Sequence, residues 1–140
     1  MFCSNGPGDP AHPGKASAAR RTLAAAVMQG MPTMGICLGH QLLGLASGLT
    51  TYKMRYGHRG ANQPVIDLSN RKVAITSQNH GFALGEMPDG ISQVFTNLND
   101  RTCEGIRGPG CWSVQFHPEA SPGPLDANVL FERVREMVDG

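Results

Sequence analysis

The chain has 140 residues, a formal net charge of +1 and four cysteines. This length fits one domain with a single core, and the near-neutral charge excludes a general nucleic-acid or anionic-membrane surface. The cysteines lack C-x-x-C spacing, so neither a zinc site, nor any other metal site, nor a disulfide framework is predicted. No apolar run approaches the roughly 18 residues of a membrane span. These features favour a reduced, cytoplasmic enzyme that contacts neither membrane nor nucleic acid.

The first third of the chain alternates loop, helix and strand signals. Met1 to Ser4 resemble the end of a strand and lead into the Gly/Pro loop Asn5-Gly-Pro-Gly-Asp-Pro10. An alanine-rich helix is predicted over Ser17 to Gln29, a buried strand over Met31 to Cys37, and a second helix over Leu38 to Ala46. This order indicates an α/β fold with a mostly parallel central sheet, in which ligands bind beyond the carboxyl ends of the strands.

Cys37 lies where the predicted strand turns sharply into the second helix. The segment reads Gly35-Ile-Cys-Leu-Gly-His-Gln41, with a glycine two residues away on either side. A residue at such an apex is strained and needs small neighbours, as at the nucleophile elbow of serine hydrolases. The turn points the side chain at a helix N-terminus, where the dipole favours a thiolate and free N–H groups bind an oxyanion. The alternative is a small buried hydrophobic residue, which is the usual role of a free cysteine.

The middle of the chain is predicted to be strands and loops. The basic segment Thr50 to Gly60 is interpreted as a solvated turn. Residues Gln63 to Ser69 and Lys72 to Ser77 predict a hairpin. Further strands are predicted over residues 91–98, 102–106 and 111–116, and a final helix begins at Asp126.

The predicted hairpin leads into Gln78-Asn-His-Gly-Phe82. Asn79 offers an amide donor and an acceptor, Gly81 allows close approach, and Phe82 supplies an apolar wall. This segment is suited to polar recognition, although an ordinary loop explains it equally well.

His117 and Glu119 are the candidate partners of the cysteine. A cysteine nucleophile needs a base, and the base needs a group that orients it. The strand Cys111 to Phe116 ends at His117-Pro-Glu119, so imidazole and carboxylate project from one sheet edge. A lone His-Pro-Glu is usually a strand-ending turn, but together with Cys37 it favours catalysis.

Other histidines are assigned no catalytic role. His40 follows Cys37 on the helix and is predicted to point away from the thiol into the packing. His12 and His58 are placed in loops, with no acidic partner at a useful spacing.

Three segments, in this order, resemble the class I, or triad, glutamine amidotransferases: Asn5 to Pro10, Gly35 to Gln41, and Phe116 to Glu119. Longer segments resemble, more narrowly, the small-chain family of carbamoyl-phosphate synthetases: Gly57-His-Arg-Gly-Ala-Asn-Gln-Pro64, Ser77-Gln-Asn-His-Gly-Phe82 and His117-Pro-Glu-Ala-Ser-Pro-Gly-Pro124. Matching segments run along nearly the whole chain. The resemblance implies a flavodoxin-like α/β amidotransferase fold and hydrolysis of glutamine to glutamate.

The resemblance also implies a role for each matching residue. Cys37 attacks the side-chain amide of glutamine, His117 shuttles the proton, and Glu119 orients the imidazole. The backbone N–H groups of Leu38 and Gly6 form the oxyanion hole. The glutamine contacts are expected at Gly6, Gly8, Leu38, Gln41, Asn79, Gly81 and Phe82.

The same resemblance implies partners and domain organisation. Ammonia passes to a carbamoyl-phosphate synthetase large chain, which holds the ATP and magnesium, so no cofactor is expected in this chain. The carbamoyl phosphate serves arginine or pyrimidine synthesis. Family amidotransferase domains begin several elements upstream, and the small chain has a further amino-terminal domain. Residues 1–140 are therefore expected to be a partial amidotransferase domain whose amino-terminal part is missing.

Three alternatives stay open. One is another triad amidotransferase, such as one serving GMP or anthranilate synthesis, against which the Gly-His-Arg-Gly and Ser-Pro-Gly-Pro segments argue. A second is a non-catalytic module that docks on a partner, which the joint presence of Cys37, His117 and Glu119 disfavours. The third is an inactive truncated fragment, suggested by the abrupt start.

Overall fold

The computed structural model describes residues 1–120 and 127–139, apart from the side chains at positions 15 and 127–129. The described elements are α1 Lys15–Met28, α2 Leu38–Ala46, α3 Ala127–Asp139, a 3-10 turn Pro118–Ala120, and strands β1 Phe2–Cys3, β2 Thr33–Ile36, β3 Thr51–Asp67, β4 Val73–Leu84, β5 Ser92–Asn97, β6 Cys103–Gly108 and β7 Cys111–Val114. None of the described helices is long and apolar enough to cross a membrane. The predicted helix start at Asp126, and positions 121–124 of the last resemblance segment, lie outside the described residues.

The described strands form one sheet in the order β1-β2-β7-β6-β5-β3-β4. Strands β1, β2 and β7 are parallel, whereas β7-β6, β6-β5, β5-β3 and β3-β4 pair antiparallel. The prediction of a mostly parallel sheet is therefore wrong. Parallel neighbours need a long crossover such as the one through α1, whereas short turns join β3 to β4, β5 to β6 and β6 to β7 and impose antiparallel pairing.

The interpretation of residues 50–60 as a solvated turn is also wrong. This segment is the first part of β3, which pairs with β4 along most of its length. Two register shifts, between Lys53 and His58 and between Gly60 and Gln63, interrupt the pairing. The polar composition of this segment suggests a loop, but the segment is a strand in which His58 is buried and Arg59 is exposed. The predicted hairpin after it is confirmed as part of the longer β3-β4 pair.

The main core lies under the parallel strands. Met34 of β2 and Val114 of β7 are buried there with Phe95 of β5. The ring of Phe95 meets Trp112 and Phe116 edge to face, with centroids 6.0 and 5.5 Å apart. This packing fixes the carboxyl ends of β2 and β7, from which Cys37 and His117 follow.

Candidate active site

The turn between β2 and α2 has the strained geometry predicted for Cys37. Its backbone lies at φ 53° and ψ −107°, a region that non-glycine residues rarely adopt. A Cβ atom on Gly35 would collide with the carbonyl of Gly39, and one on Gly39 would collide with the carbonyl of Cys3. Small residues are therefore required on both sides of the apex, as the sequence predicts.

The sulfur of Cys37 is nearly enclosed. The residue is 3 % exposed, and Sγ lies 3.9 Å from the carbonyl oxygen of Asn79 and 3.8 Å from Nε2 of Gln115. Burial raises the pKa of the Cys37 thiol to about 11, although the N–H of Leu38 and the Gln115 amide act in the opposite direction. This direction opposes the predicted thiolate at the helix N-terminus, because the loss of hydration outweighs the local donors.

A cavity of about 660 Å³ opens beside this sulfur. It is bounded by the Gly/Pro loop, the start of α2 and the segment of β4 around His80. Two cations, Lys53 and Arg59, and the carboxylate of Asp9 give it a polar wall. The structure brings Cys37 together there with all seven positions predicted to contact glutamine: Gly6, Gly8, Leu38, Gln41, Asn79, Gly81 and Phe82.

His117 and Glu119 form a pair directly after β7. Nδ1 of His117 lies 2.9 Å from Oε1 of Glu119. The backbone N–H of His117 donates to the carbonyl of Ser77 at 2.9 Å, and the N–H of Cys37 donates to the carbonyl of Val114 at 2.9 Å. Cys37 is therefore bonded to the end of β7, and His117, which follows β7 in the chain, is bonded to β4. Neither His117 nor Glu119 is among the described residues that line the cavity.

Gln115 is a residue of the site that sequence reasoning missed. Its side chain is fully buried, and its Oε1 accepts a hydrogen bond from Nε2 of Gln41 at 3.0 Å. The same Nε2 donates to the carbonyl of Phe82 at 2.9 Å. Gln41 thus ties α2 to β4 across the floor of the cavity. The available signal was a glutamine in an otherwise apolar strand end, where a buried amide must find partners.

His40, which follows Cys37 on α2, is a packing residue. His40 is fully buried, with Nδ1 2.8 Å from Oγ of Ser113, in agreement with its assignment to packing. Burial, reinforced by the charge of His80, lowers the pKa of His40 to about 3, so the ring is neutral.

His58 contradicts its assignment to a loop without acidic partners. It lies buried on β3, with Nε2 2.6 Å from Oδ2 of Asp100 and Nδ1 3.2 Å from Oε1 of Glu104. Asp100 is 42 residues away along the chain, so only the β3-β5-β6 pairing reveals the contact.

Two curated relatives are identical to this chain at about half of the aligned positions. The carbamoyl phosphate synthase small chain of Rhodopirellula baltica is 50 % identical over 143 residues, which cover 99 % of this chain and 36 % of the relative. That of Methanocaldococcus jannaschii is 53 % identical over 143 residues, covering 99 % of this chain and 39 % of the relative. The chain therefore spans somewhat over a third of the length of these relatives.

Solved structures show the same fold at low sequence identity. A glutamine amidotransferase from Thermotoga maritima superposes with a TM-score of 0.74 at 20 % identity, covering 99 % of this chain and 62 % of the other. One from Methylobacillus flagellatus gives 0.69 at 17 % identity, covering 94 % and 54 %. The family model "Glutamine amidotransferase class-I" matches residues 1–137. Since that match spans nearly the whole chain, this protein belongs to the class-I glutamine amidotransferase family.

Proposed function

We propose that this chain is the glutamine-hydrolysing part of a carbamoyl-phosphate synthetase, releasing ammonia from L-glutamine. The observation that carries the proposal is the position of Cys37, at a strained turn beside a polar cavity lined by all the predicted glutamine contacts. The names of the two curated relatives support the choice of synthetase. No observation favours GMP or anthranilate synthesis, because the structural neighbours report on the fold alone.

The first chemical step is attack of Cys37 on the side-chain carbonyl of glutamine. Burial keeps the resting residue in its thiol form, so a base has to remove the proton as substrate binds. His117 is the proposed base, and Glu119, 2.9 Å from its Nδ1, holds the ring and stabilises the imidazolium.

The resulting tetrahedral oxyanion needs nearby donors. The backbone N–H groups of Leu38 and Gly6 are the proposed pair. The Gly/Pro loop abuts the elbow closely, since a Cβ atom on Gly6 would lie 2.9 Å from Cδ2 of Leu38. Loss of one such donor typically raises a barrier by about 3 kcal/mol.

The intermediate then collapses. His117 returns its proton to the leaving nitrogen, the C–N bond breaks and ammonia departs, leaving a γ-glutamyl thioester on Cys37. His117 next takes a proton from water, the hydroxide attacks the thioester carbonyl, and the C–S bond breaks. His117 returns that proton to the departing sulfur, so glutamate leaves and the thiol is restored.

The proposal includes a partner. The ammonia is delivered to a synthetase large chain, which supplies ATP and magnesium and with which this subunit forms a heterodimer. We expect the complex to work in the cytoplasm and to make carbamoyl phosphate for arginine or pyrimidine synthesis.

The test is Cys37→Ser in the complex with the large chain. We expect glutaminase activity to disappear while synthesis from added ammonia continues. Cys103→Ser is the matched control, because Cys103 is buried in a separate core cluster on β6. Unchanged glutaminase activity in Cys37→Ser would refute the nucleophile. Glutaminase activity in the wild type that never supports carbamoyl phosphate synthesis would instead refute the partner.

A further inference from the structure

Four buried side chains from three strands converge behind the cavity. They are His58 on β3, Gln78 and His80 on β4, and Glu104 on β6, with exposed fractions of 5, 2, 8 and 0 %. Nδ1 of His58 lies 3.1 Å from Oε1 of Gln78, 3.2 Å from Nε2 of His80 and 3.2 Å from Oε1 of Glu104. Nε2 of His80 lies 2.7 Å from Oε1 of Gln78. None of these contacts is used in the proposed glutamine hydrolysis.

The outward contacts of the two imidazoles fix their tautomers. Nε2 of His58 faces Oδ2 of Asp100 at 2.6 Å, and Nδ1 of His80 faces the carbonyl oxygen of Phe82 at 2.7 Å. A carbonyl only accepts, and so does an ionised carboxylate, so both outward nitrogens carry hydrogen. In the neutral rings, the two inward nitrogens therefore present lone pairs.

The amide of Gln78 is oriented in the same way. The hydroxyl of Thr76 donates its hydrogen to the carbonyl of Gln63 at 2.8 Å, so its oxygen can only accept from Gln78. Nε2 of Gln78 donates to this oxygen at 3.1 Å. Oε1 of Gln78 must then point at the two imidazoles. Oε2 of Glu104 is buried without a hydrogen-bond partner among the described residues.

Four acceptor atoms thus face one another. Nδ2 of Asn97 donates to one of them, Oε1 of Glu104, at 3.1 Å, and it does not reach the contact between His80 and Gln78. A proton on Nδ1 of His58 would bridge it to Glu104 or to His80. That proton would still leave the 2.7 Å contact between Nε2 of His80 and Oε1 of Gln78 as two facing lone pairs. A cation at the centre of the group satisfies all four atoms at once.

We propose that His58, Gln78, His80 and Glu104 bind a divalent metal ion of the zinc type. Ligand atoms around a tetrahedral zinc ion are about 3.4 Å apart. The three separations from Nδ1 of His58 are 3.1 to 3.2 Å. The 2.7 Å contact between Nε2 of His80 and Oε1 of Gln78 has to open by about 0.7 Å to reach the zinc spacing. Two imidazoles with oxygen ligands suit zinc.

The surroundings have the form of a second coordination shell. Metal-bound histidines commonly donate their other N–H to a carboxylate or to a backbone carbonyl, as His58 does to Asp100 and His80 does to Phe82. Two carboxylates, Asp100 and Glu104, balance the charge of a divalent ion. Because His80 lies between Asn79 and Gly81, the ion would tie this wall of the cavity to β3 and β6.

The test begins with the wild-type protein purified without chelators. We expect close to one equivalent of zinc per chain by mass spectrometry of the metals. Replacement by Co²⁺ should give the visible spectrum of a tetrahedral site without a thiolate charge-transfer band, which excludes the cysteines as ligands. Chelation should lower the melting temperature of the wild-type protein. These readouts do not depend on glutaminase activity, so failure of the proposed function leaves them intact.

Variants then locate the site. Glu104→Gln and His58→Asn should lose the metal, and Asp100→Asn should weaken binding about 10- to 100-fold, as loss of an outer-shell partner does. His12→Asn, at an exposed loop histidine, is the control and should bind normally. The proposal is overturned if wild-type protein neither contains nor takes up zinc or Co²⁺. A thiolate band, or metal retention in a folded Glu104→Gln protein, would overturn it equally.

Discussion

Gln115 points its side-chain amide at the sulfur of Cys37, with 3.8 Å between Nε2 and Sγ. Its carbonyl oxygen simultaneously receives the amide of Gln41 at 3.0 Å. A single buried side chain therefore touches the proposed nucleophile and also holds the residue that ties α2 to β4. Hydrogen bonds to ionised groups strengthen as charge develops, so this amide should stabilise the thiolate that forms during attack.

We predict that Gln115→Ala lowers kcat/KM for glutamine at least tenfold. Hydrogen bonds to charged groups are worth about 1.5–3 kcal/mol, and a tenfold change corresponds to about 1.4 kcal/mol. Steady-state glutaminase assays on the folded variant provide the measurement. The matched control is Gln29→Ala, at an exposed position after α1, which should keep wild-type kinetics. A Gln115→Ala enzyme with normal kcat/KM would show that the amide only fills space.

Alkylation of Cys37 should depend steeply on pH. Only the thiolate reacts, and burial holds the pKa of this thiol at about 11. The rate with iodoacetamide should therefore rise about tenfold per pH unit from 7 to 10, whereas a free thiol such as glutathione levels off near its unperturbed pKa of about 8.5. Peptide mapping by mass spectrometry follows the residue. A rate for Cys37 that is already constant at neutral pH would mean that the helix N-terminus holds a thiolate after all.

The elbow could be predicted because its signals are local. Gly35, Cys37 and Gly39 lie within five residues, and the close approach of the Cys3 backbone explains why position 39 needs a small residue. The protonation state could not be predicted in this way. It depends on how deeply the sheet and α2 bury the sulfur, which is a property of the packed fold.

Long-range contacts explain the remaining differences. The pairing of β3 with β4 and β5 brings His58 to Asp100, 42 residues away, and no spacing rule connects the two. Likewise, the predicted positions of most strands are correct, but the antiparallel pairing of β3, β4, β5 and β6 is not predicted, because the α/β rhythm covers only the first third of the chain. The short connections after β3 make the rest antiparallel.

Gly39→Ala should destabilise the elbow. The added methyl group would meet the carbonyl of Cys3, a backbone atom that cannot move without shifting β1. Overpacking of this kind typically costs about 1–3 kcal/mol. Gly81→Ala is the control for folding, because a Cβ there meets nothing closer than the end of the Arg59 side chain at 3.7 Å. Urea denaturation of both variants decides the matter, and equal midpoints for Gly39→Ala and the wild type would contradict the geometry.

Asp67 joins the end of β3 to α3. Its Oδ1 accepts from the backbone N–H and the hydroxyl of Ser69, and its Oδ2 accepts from the Arg133 guanidinium at 2.9 Å. Because Asp67 is 1 % exposed, we predict that Asp67→Asn lowers the free energy of unfolding at pH 7 by about 2 kcal/mol. Asp139→Asn removes an exposed partner 3.8 Å from Arg135 and should change stability little.

The pH dependence of this contribution has a definite sign. Burial alone would raise the pKa of Asp67, but the hydrogen bonds from Ser69 and the charge of Arg133 outweigh it and hold the pKa below its ordinary value. A carboxylate whose pKa is depressed by folding stabilises the protein fully above its unfolded pKa of about 3.9, and that stabilisation is lost as the pH falls through the folded value. The difference in unfolding free energy between wild type and Asp67→Asn should thus be constant from pH 5 to 7 and shrink below pH 4. A difference that grew on acidification would mean that Asp67 is protonated in the folded protein, and the contact with Arg133 would have to be abandoned.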